Sequence, residues 1–163
     1  VDDFLKVPEP LIHKEFSRIM SLKDGTKKMS KSESSDLSRI NLTDNEDLII
    51  NKIKKAKTDP LLLPSDVNEL KNRPEAKNLL GIYSILTNSS LDKSVDEFNG
   101  KNFSEFKEKL SQVLVEKITP ISKEIKKLID DKEFLDQILS DGQKKASYIA
   151  TNKIKKMQEI IGF

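Results

Sequence analysis

Apolar side chains recur at helical spacing along most of this chain, and the front is the exception. Pro8 and Pro10 in KVPEP break regular structure there. From Phe16 to Leu22, FSRIMSL alternates loosely between apolar and polar residues, which predicts a short strand. The stretch KDGTKKMSKSESS follows. It carries Gly25, lysines and serines with almost no apolar side chain, and reads as a loop. Asp36 to Leu42 fits a short strand or a turn of helix.

From Thr43 the pattern becomes helical and stays so. Thr43 and Glu46 have the spacing of a capping box, and Leu48, Ile49, Ile53 and Ala56 form the apolar stripe behind it. Pro60 is expected to stop that helix, and Leu61 to Asn72, with Pro64, to be a connector. Pro74 suits the first turn of a second helix with Ala76, Leu79, Leu80, Tyr83 and Leu86 inward. A shorter helix holds Leu91, Val95 and Phe98 and ends at Gly100. Phe103 to about Ile129 is long and amphipathic, through Phe106, Leu110, Val113, Lys117, Ile121, Ile125 and Leu128, with Pro120 expected to kink or divide it. Phe134, Leu135, Ile138 and Leu139 predict a short helix closed by Gly142. A last helix carries Ala146, Ile149, Ala150, Ile154, Met157 and Ile161. No internal repeat of fixed period is present.

The expected fold class is therefore mainly α, divided into residues 1–43, a strand and loop, and 44–163, a helical region. A lone strand leaves unpaired backbone groups. The front is accordingly expected to belong to a sheet whose other strands are not in this sequence.

Composition narrows the chemistry. The absence of cysteine excludes disulfides, thiolate metal sites and a cysteine nucleophile. The single histidine, His13, excludes mechanisms that need a pair, and suits a surface or turn position better than catalysis. No run approaches the roughly 20 apolar residues of a membrane span, and the N-terminus does not read as a secretory signal. A cytoplasmic location is expected. With 29 basic and 27 acidic residues, bulk charge does not announce nucleic acid, so the placement of the lysines decides.

The loop Lys28-Met29-Ser30-Lys31-Ser32 is the most informative stretch. It offers two ammonium groups, two hydroxyls and free backbone amides without bulk, a set that suits a polyphosphate. Lys27 adds a third positive charge. A Walker-type phosphate loop is excluded, because no glycine stands five residues before a Gly-Lys pair. Read without further context, the same loop is also compatible with a solvated lysine-serine linker.

These five residues spell the KMSKS signature, and RIMSLKDGTKKMSKS resembles the tryptophanyl branch of the class I aminoacyl-tRNA synthetases, bacterial type. KIKKAKTD at Lys52 to Asp59, RPEAKNLLGIYS at Arg73 to Ser84, FNGKNFSEFKEKL at Phe98 to Leu110, DGQKKA at Asp141 to Ala146 and the terminal IIGF are similar to successive blocks of that family. The second class I signature, of the form G-x-x-T-x-G-N in this branch, has no counterpart. The nearest pair of glycines, Gly81 and Gly100, is far too widely spaced. The resemblance thus implies a C-terminal portion: the last strand and signature loop of a Rossmann-type α/β catalytic domain, then a helical anticodon-recognition region.

The resemblance implies further expectations. The family joins tryptophan to ATP and passes it to tRNA. Lys28 and Lys31 would stabilise charge on the leaving pyrophosphate. Ile19, Met29, Ser30 and Ser32 would contact ATP, Ile19 and Met29 on the adenine side. Mg2+ would arrive with ATP, since no carboxylate cluster here would hold it permanently. The tryptophan pocket would lie outside this sequence, the whole enzyme would be a homodimer, and these residues alone would be inactive. Lys52 and Lys55 on one helix, and Lys153 and Lys156 near the end, are candidates for tRNA phosphates, together with Lys54, Lys57, Lys144, Lys145 and Lys155 on the same faces. Tyr83 and Tyr148 could stack on a base, although Tyr83 suits the core better, as do Phe98, Phe103 and Phe106. The alternative is a non-catalytic helical module that binds RNA or another partner.

Overall fold

The computed structural model describes Phe4, residues 7–12 and residues 16–162. His13 lies outside the described residues. Among the described residues five α-helices follow one another: α1 (Glu46–Lys54), α2 (Pro74–Thr87), α3 (Leu91–Phe98), α4 (Phe103–Asp130) and α5 (Lys132–Ile161). Single 3-10 turns at Asp36–Ser38 and Val67–Asn72 interrupt the connections.

The core lies between α1, α2, α3 and the first half of α4. Ile49 and Ile53 of α1 meet Phe106, Leu110 and Leu114 of α4. Leu79, Leu80 and Tyr83 of α2 and Val95 and Phe98 of α3 complete it. Tyr83, Phe98 and Phe106 pack edge to face, with ring centres 4.8 to 6.0 Å apart. Of the expected stripe on α1, Leu48 is turned outward.

Several boundaries differ from the sequence reading. Asn45, not Thr43, caps α1, its side chain accepting from the Leu48 amide at 2.9 Å. The helix ends at Lys54, before Pro60. There Lys107 of α4 donates to the Lys54 and Ala56 carbonyls at 3.2 and 2.7 Å, supplying donors the last turn lacks. Burial of that ammonium lowers its pKa. Asp66 and Glu69 form a full capping box inside the expected connector. Pro120 does not divide α4. It stands on the exposed side, where the carbonyl left without an amide partner faces water. Gly142 does not close a short helix either, since α5 runs through it.

The expected strand at Phe16–Leu22 is a single antiparallel bridge, Met20 with Lys28. Between Ile19 and Leu22 most of its backbone groups are nonetheless partnered. Met29 N–H bonds Ile19 O at 3.0 Å, Ser21 N–H bonds Lys27 O at 2.8 Å, Leu22 N–H bonds Ser38 O at 2.9 Å, and Lys57 N–H bonds Leu22 O at 2.7 Å. The other edge is served by a side chain. Asn78 of α2, buried, accepts from Met20 N–H and donates to Met20 O, both at 2.8 Å. One amide side chain thus pairs as a neighbouring peptide would. Leu22 enters the helical core directly.

Candidate functional site

The loop after Leu22 is fixed at its base. Asp24 accepts from the Thr26 amide and hydroxyl at 3.0 and 2.6 Å, and these bonds are the leading cause of its lowered pKa. Gly25 lies against the start of α2, where a Cβ would come within 2.6 Å of the Pro74 and Glu75 backbone, so no larger residue fits. Beside it, Lys57 pairs with Glu75 at 2.8 Å, holding that carboxylate below its usual range.

Beyond this base the loop borders a groove of about 660 Å3. Ile19, Lys28, Met29, Ser30 and Lys31 line it together, and the bond between Met29 N–H and Ile19 O joins the two segments. Ser32 is not part of the lining. Its amide donates to Ser30 Oγ at 3.2 Å, shaping the turn. Lys28 and Lys31 are exposed, and neither is engaged in an ion pair among the described residues.

The opposite wall contains residues the sequence did not single out. Arg18, Arg39 and Asn41 line the groove, and no carboxylate does. Arg39 is held three ways: Nη1 donates to Glu33 O at 3.0 Å, Nε to Asn41 Oδ1 at 3.1 Å, and Nη2 pairs with Asp36 at 3.1 Å. Arg18, Lys28 and Lys31, with the Asp36-paired Arg39, give a groove without a lining carboxylate a charge that suits an anion. Among the described residues no group of three or more His, Asp or Glu is placed to hold a metal ion.

Residues 2–121 match the family described as tRNA synthetases class I (W and Y). The chain belongs to this family. It is 50% identical over 163 residues to the tryptophan–tRNA ligase of Agrobacterium fabrum, covering 100% of this chain and 46% of that protein. With the ligase of Mesorhizobium japonicum it shares 49% over 162 residues. In structure it is similar to tryptophanyl-tRNA synthetase from Mycoplasma pneumoniae, with a TM-score of 0.75 at 25% identity, covering 93% of this chain and 45% of that one. The fold also matches the Campylobacter jejuni synthetase complexed with ADP and tryptophan, with a TM-score of 0.68 at 23% identity, covering 99% of this chain and 48% of that one. The chain spans about half the length of the curated relatives it matches.

For a class I synthetase chain, the lysines expected to meet tRNA are unevenly placed. Lys52 is a correction. Its side chain is fully buried, with Nζ 2.6 Å from Asp44 and 2.7 Å from Asp36, so it cannot reach a phosphate. A lysine on the inner face of α1 is tolerated because two carboxylates meet it. Lys55 is exposed at the end of α1. Lys153 and Lys156 are exposed on α5, Lys153 lying 4.3 Å from the Phe4 ring centre and donating to Phe4 O at 2.7 Å. Tyr83 is buried and Tyr148 is 73% exposed. A second groove, about 800 Å3, runs between α1 and α4 past Lys54, Thr58, Phe103, Ser104 and Ser111. Ser111 Oγ is buried there without a hydrogen-bond partner. Among the described residues no helix is long and apolar enough to cross a membrane.

Proposed function

We propose that this chain is the C-terminal portion of a tryptophan–tRNA ligase and that the cation-lined groove holds the phosphates of ATP. The carrying observation is the set Arg18, Lys28, Lys31 and Arg39 around a groove without a carboxylate. In this reading residues 1–43 end a Rossmann-type catalytic domain, and 44–163 form the tRNA-binding, anticodon-recognising region. The tryptophan carboxylate attacks the α-phosphorus of Mg2+-bound ATP, and the bond to the β-phosphate oxygen breaks. Pyrophosphate leaves with increased charge. Lys28 and Lys31 stabilise that charge, while the Ser30 hydroxyl and the Ser32 amide order the loop. The backbone at Ile19 and Met29 meets adenine. Mg2+ travels with the nucleotide, since nothing in the groove is a hard-cation ligand set.

Lys55, Lys153 and Lys156 are offered to tRNA phosphates. The α1–α4 groove, with Lys54 at its edge and Phe103 in its wall, suits an unstacked nucleotide. The working enzyme is a cytoplasmic homodimer. A binding module without catalysis has no evident use for the carboxylate-free groove.

The test is Lys31→Ala in the full-length ligase, read by tryptophan-dependent exchange of pyrophosphate into ATP. Loss of one preorganised donor is expected to lower the rate about 100-fold, or about 3 kcal/mol, with the KM for tryptophan unchanged. Weakened tryptophan binding with an intact rate at saturation would sink the assignment.

A further inference from the structure

Lys52 does something other than face solvent. Its ammonium is satisfied first by Asp44, which is buried, bonds Lys52 Nζ at 2.6 Å, and also accepts from the Asn41 amide at 2.9 Å and from Asn41 Nδ2 at 3.2 Å. Folding requires that partner, because a buried ammonium left unpaired is strongly destabilising. The second partner differs. Asp36 is half exposed and sits on the short turn at Asp36–Ser38, just after the signature loop. It accepts from Asn41 Nδ2 at 2.9 Å and pairs with Arg39 at 3.1 Å. Arg39 in turn donates to the carbonyl of Glu33, the residue that follows the signature. A continuous chain of bonds therefore runs from the interior of α1, through Lys52, Asp36 and Arg39, to the exit of the phosphate loop and the groove wall.

We propose that Asp36 and Lys52 are positioning residues for the signature loop, fixing its exit and the Arg39 guanidinium to the helical body. This rests on the reading of the groove as a polyphosphate site. The geometry favours positioning over simple charge burial. Asp44 alone could neutralise Lys52, whereas Asp36 is half exposed and instead ties the exit of the loop to the helix. Three of the five guanidinium N–H groups of Arg39 are committed to Glu33, Asn41 and Asp36, so the set of donors is held in place while one N–H on each terminal nitrogen is left to meet an anion, which is the condition for a preorganised site. The lowered pKa of Asp36, caused first by the Lys52 hydrogen bond and then by Asn41, agrees with an anchored carboxylate.

The experiment compares Asp36→Asn, Asp36→Glu and the control Glu116→Gln in the full-length ligase. Hydrogen exchange is read by mass spectrometry, and binding of inorganic tripolyphosphate by calorimetry. Asp36→Asn is expected to speed exchange over residues 30–39 and to weaken tripolyphosphate about tenfold, because releasing Arg39 and the loop exit costs more than the removed negative charge returns. Exchange in α2 and α4 should not change. Asp36→Glu should recover part of both effects, and Glu116→Gln neither. Unchanged exchange over 30–39, or faster exchange spread equally over α2 and α4, would overturn the positioning role. Lys31→Ala in the same assay separates the two claims. If it binds tripolyphosphate as tightly as the unaltered chain, the phosphate reading fails, while the exchange data still decide whether Asp36 holds the loop.

Discussion

α4 and α5 are nearly equal in length, 28 and 30 residues, and both open on a side-chain cap, Asn102 to the Glu105 amide and Asp131 to the Phe134 amide. Both carry an amphipathic stripe. Yet α4 buries Phe103, Phe106, Leu110 and Leu114, while no residue of α5 is buried and Leu139 is 68% exposed. The pattern of a helix specifies which face is apolar, but the neighbours that face meets are a tertiary property. α4 lies against α1 and α2, whereas α5 meets α4 near their shared turn. The stability of this chain is accordingly concentrated in α1 to α4, and helix content on α5 has to come from propensity and caps.

The largest expected effect tests that division with one truncation to alanine in each region. Phe106→Ala removes a fully buried ring from the aromatic cluster and should cost about 3 to 5 kcal/mol. Ile149→Ala on α5 should cost less than about 0.5 kcal/mol, as at other exposed positions. Urea unfolding followed by circular dichroism measures both. A comparable loss at Ile149 would show that α5 shares the core's cooperativity.

A smaller effect concerns alkaline pH. Burial, then the hydrogen bond to Glu97 at 3.0 Å, pushes the Tyr83 hydroxyl up to about 12. The native state therefore holds this proton more tightly than the unfolded chain, where tyrosine titrates near 10. The contribution is complete below about pH 10 and is lost as pH rises toward 12. Absorbance titration in a Tyr148→Phe background leaves Tyr83 as the one signal, since the chain has two tyrosines. Ionisation near pH 10 in folded protein would show that the α2–α4 core is open to solvent.

The same contrast explains what the sequence made legible. The four packed helices and the signature loop could be read because periodicity and loop chemistry are local. Lys52 could not, because lysine on an amphipathic helix normally faces water, and its two carboxylates lie eight and sixteen residues earlier. Asn78 could not either, since nothing local marks an amide that will pair with Met20. Asn45 displaced Thr43 because both residue types cap helices and only the chain path chooses. Lys107, rather than Pro60, closes α1 through a contact across 51 residues. Gly142 suggests a stop because glycine weakens helices. A lone glycine costs only about 1 kcal/mol, which a long helix absorbs.

Two glycines sharpen the comparison further, with opposite signs. Gly81 is buried on α2, and a Cβ there would overlap the ring of Phe16. Gly81→Ala gains helix propensity, about 1 kcal/mol, but must displace that half-buried ring, an overpacking cost of about 1 to 3 kcal/mol. A net loss is expected. Phe16 also packs near the entry to the signature loop, so the substitution should disturb the Ile19–Met29 pairing as well as lower stability. Gly142 on α5 meets nothing within 4 Å and has no unusual backbone angle. Gly142→Ala should therefore only gain, by about 0.5 to 1 kcal/mol of helix stability. Because α5 contributes no buried residue, that gain should appear as slower hydrogen exchange within α5 and not as a shift of the main unfolding midpoint. Exchange of α5 amides measured beside the urea midpoint separates the two outcomes. A midpoint that rises with Gly142→Ala would mean that α5 unfolds together with α1 to α4, and the division drawn between α4 and α5 would have to be abandoned.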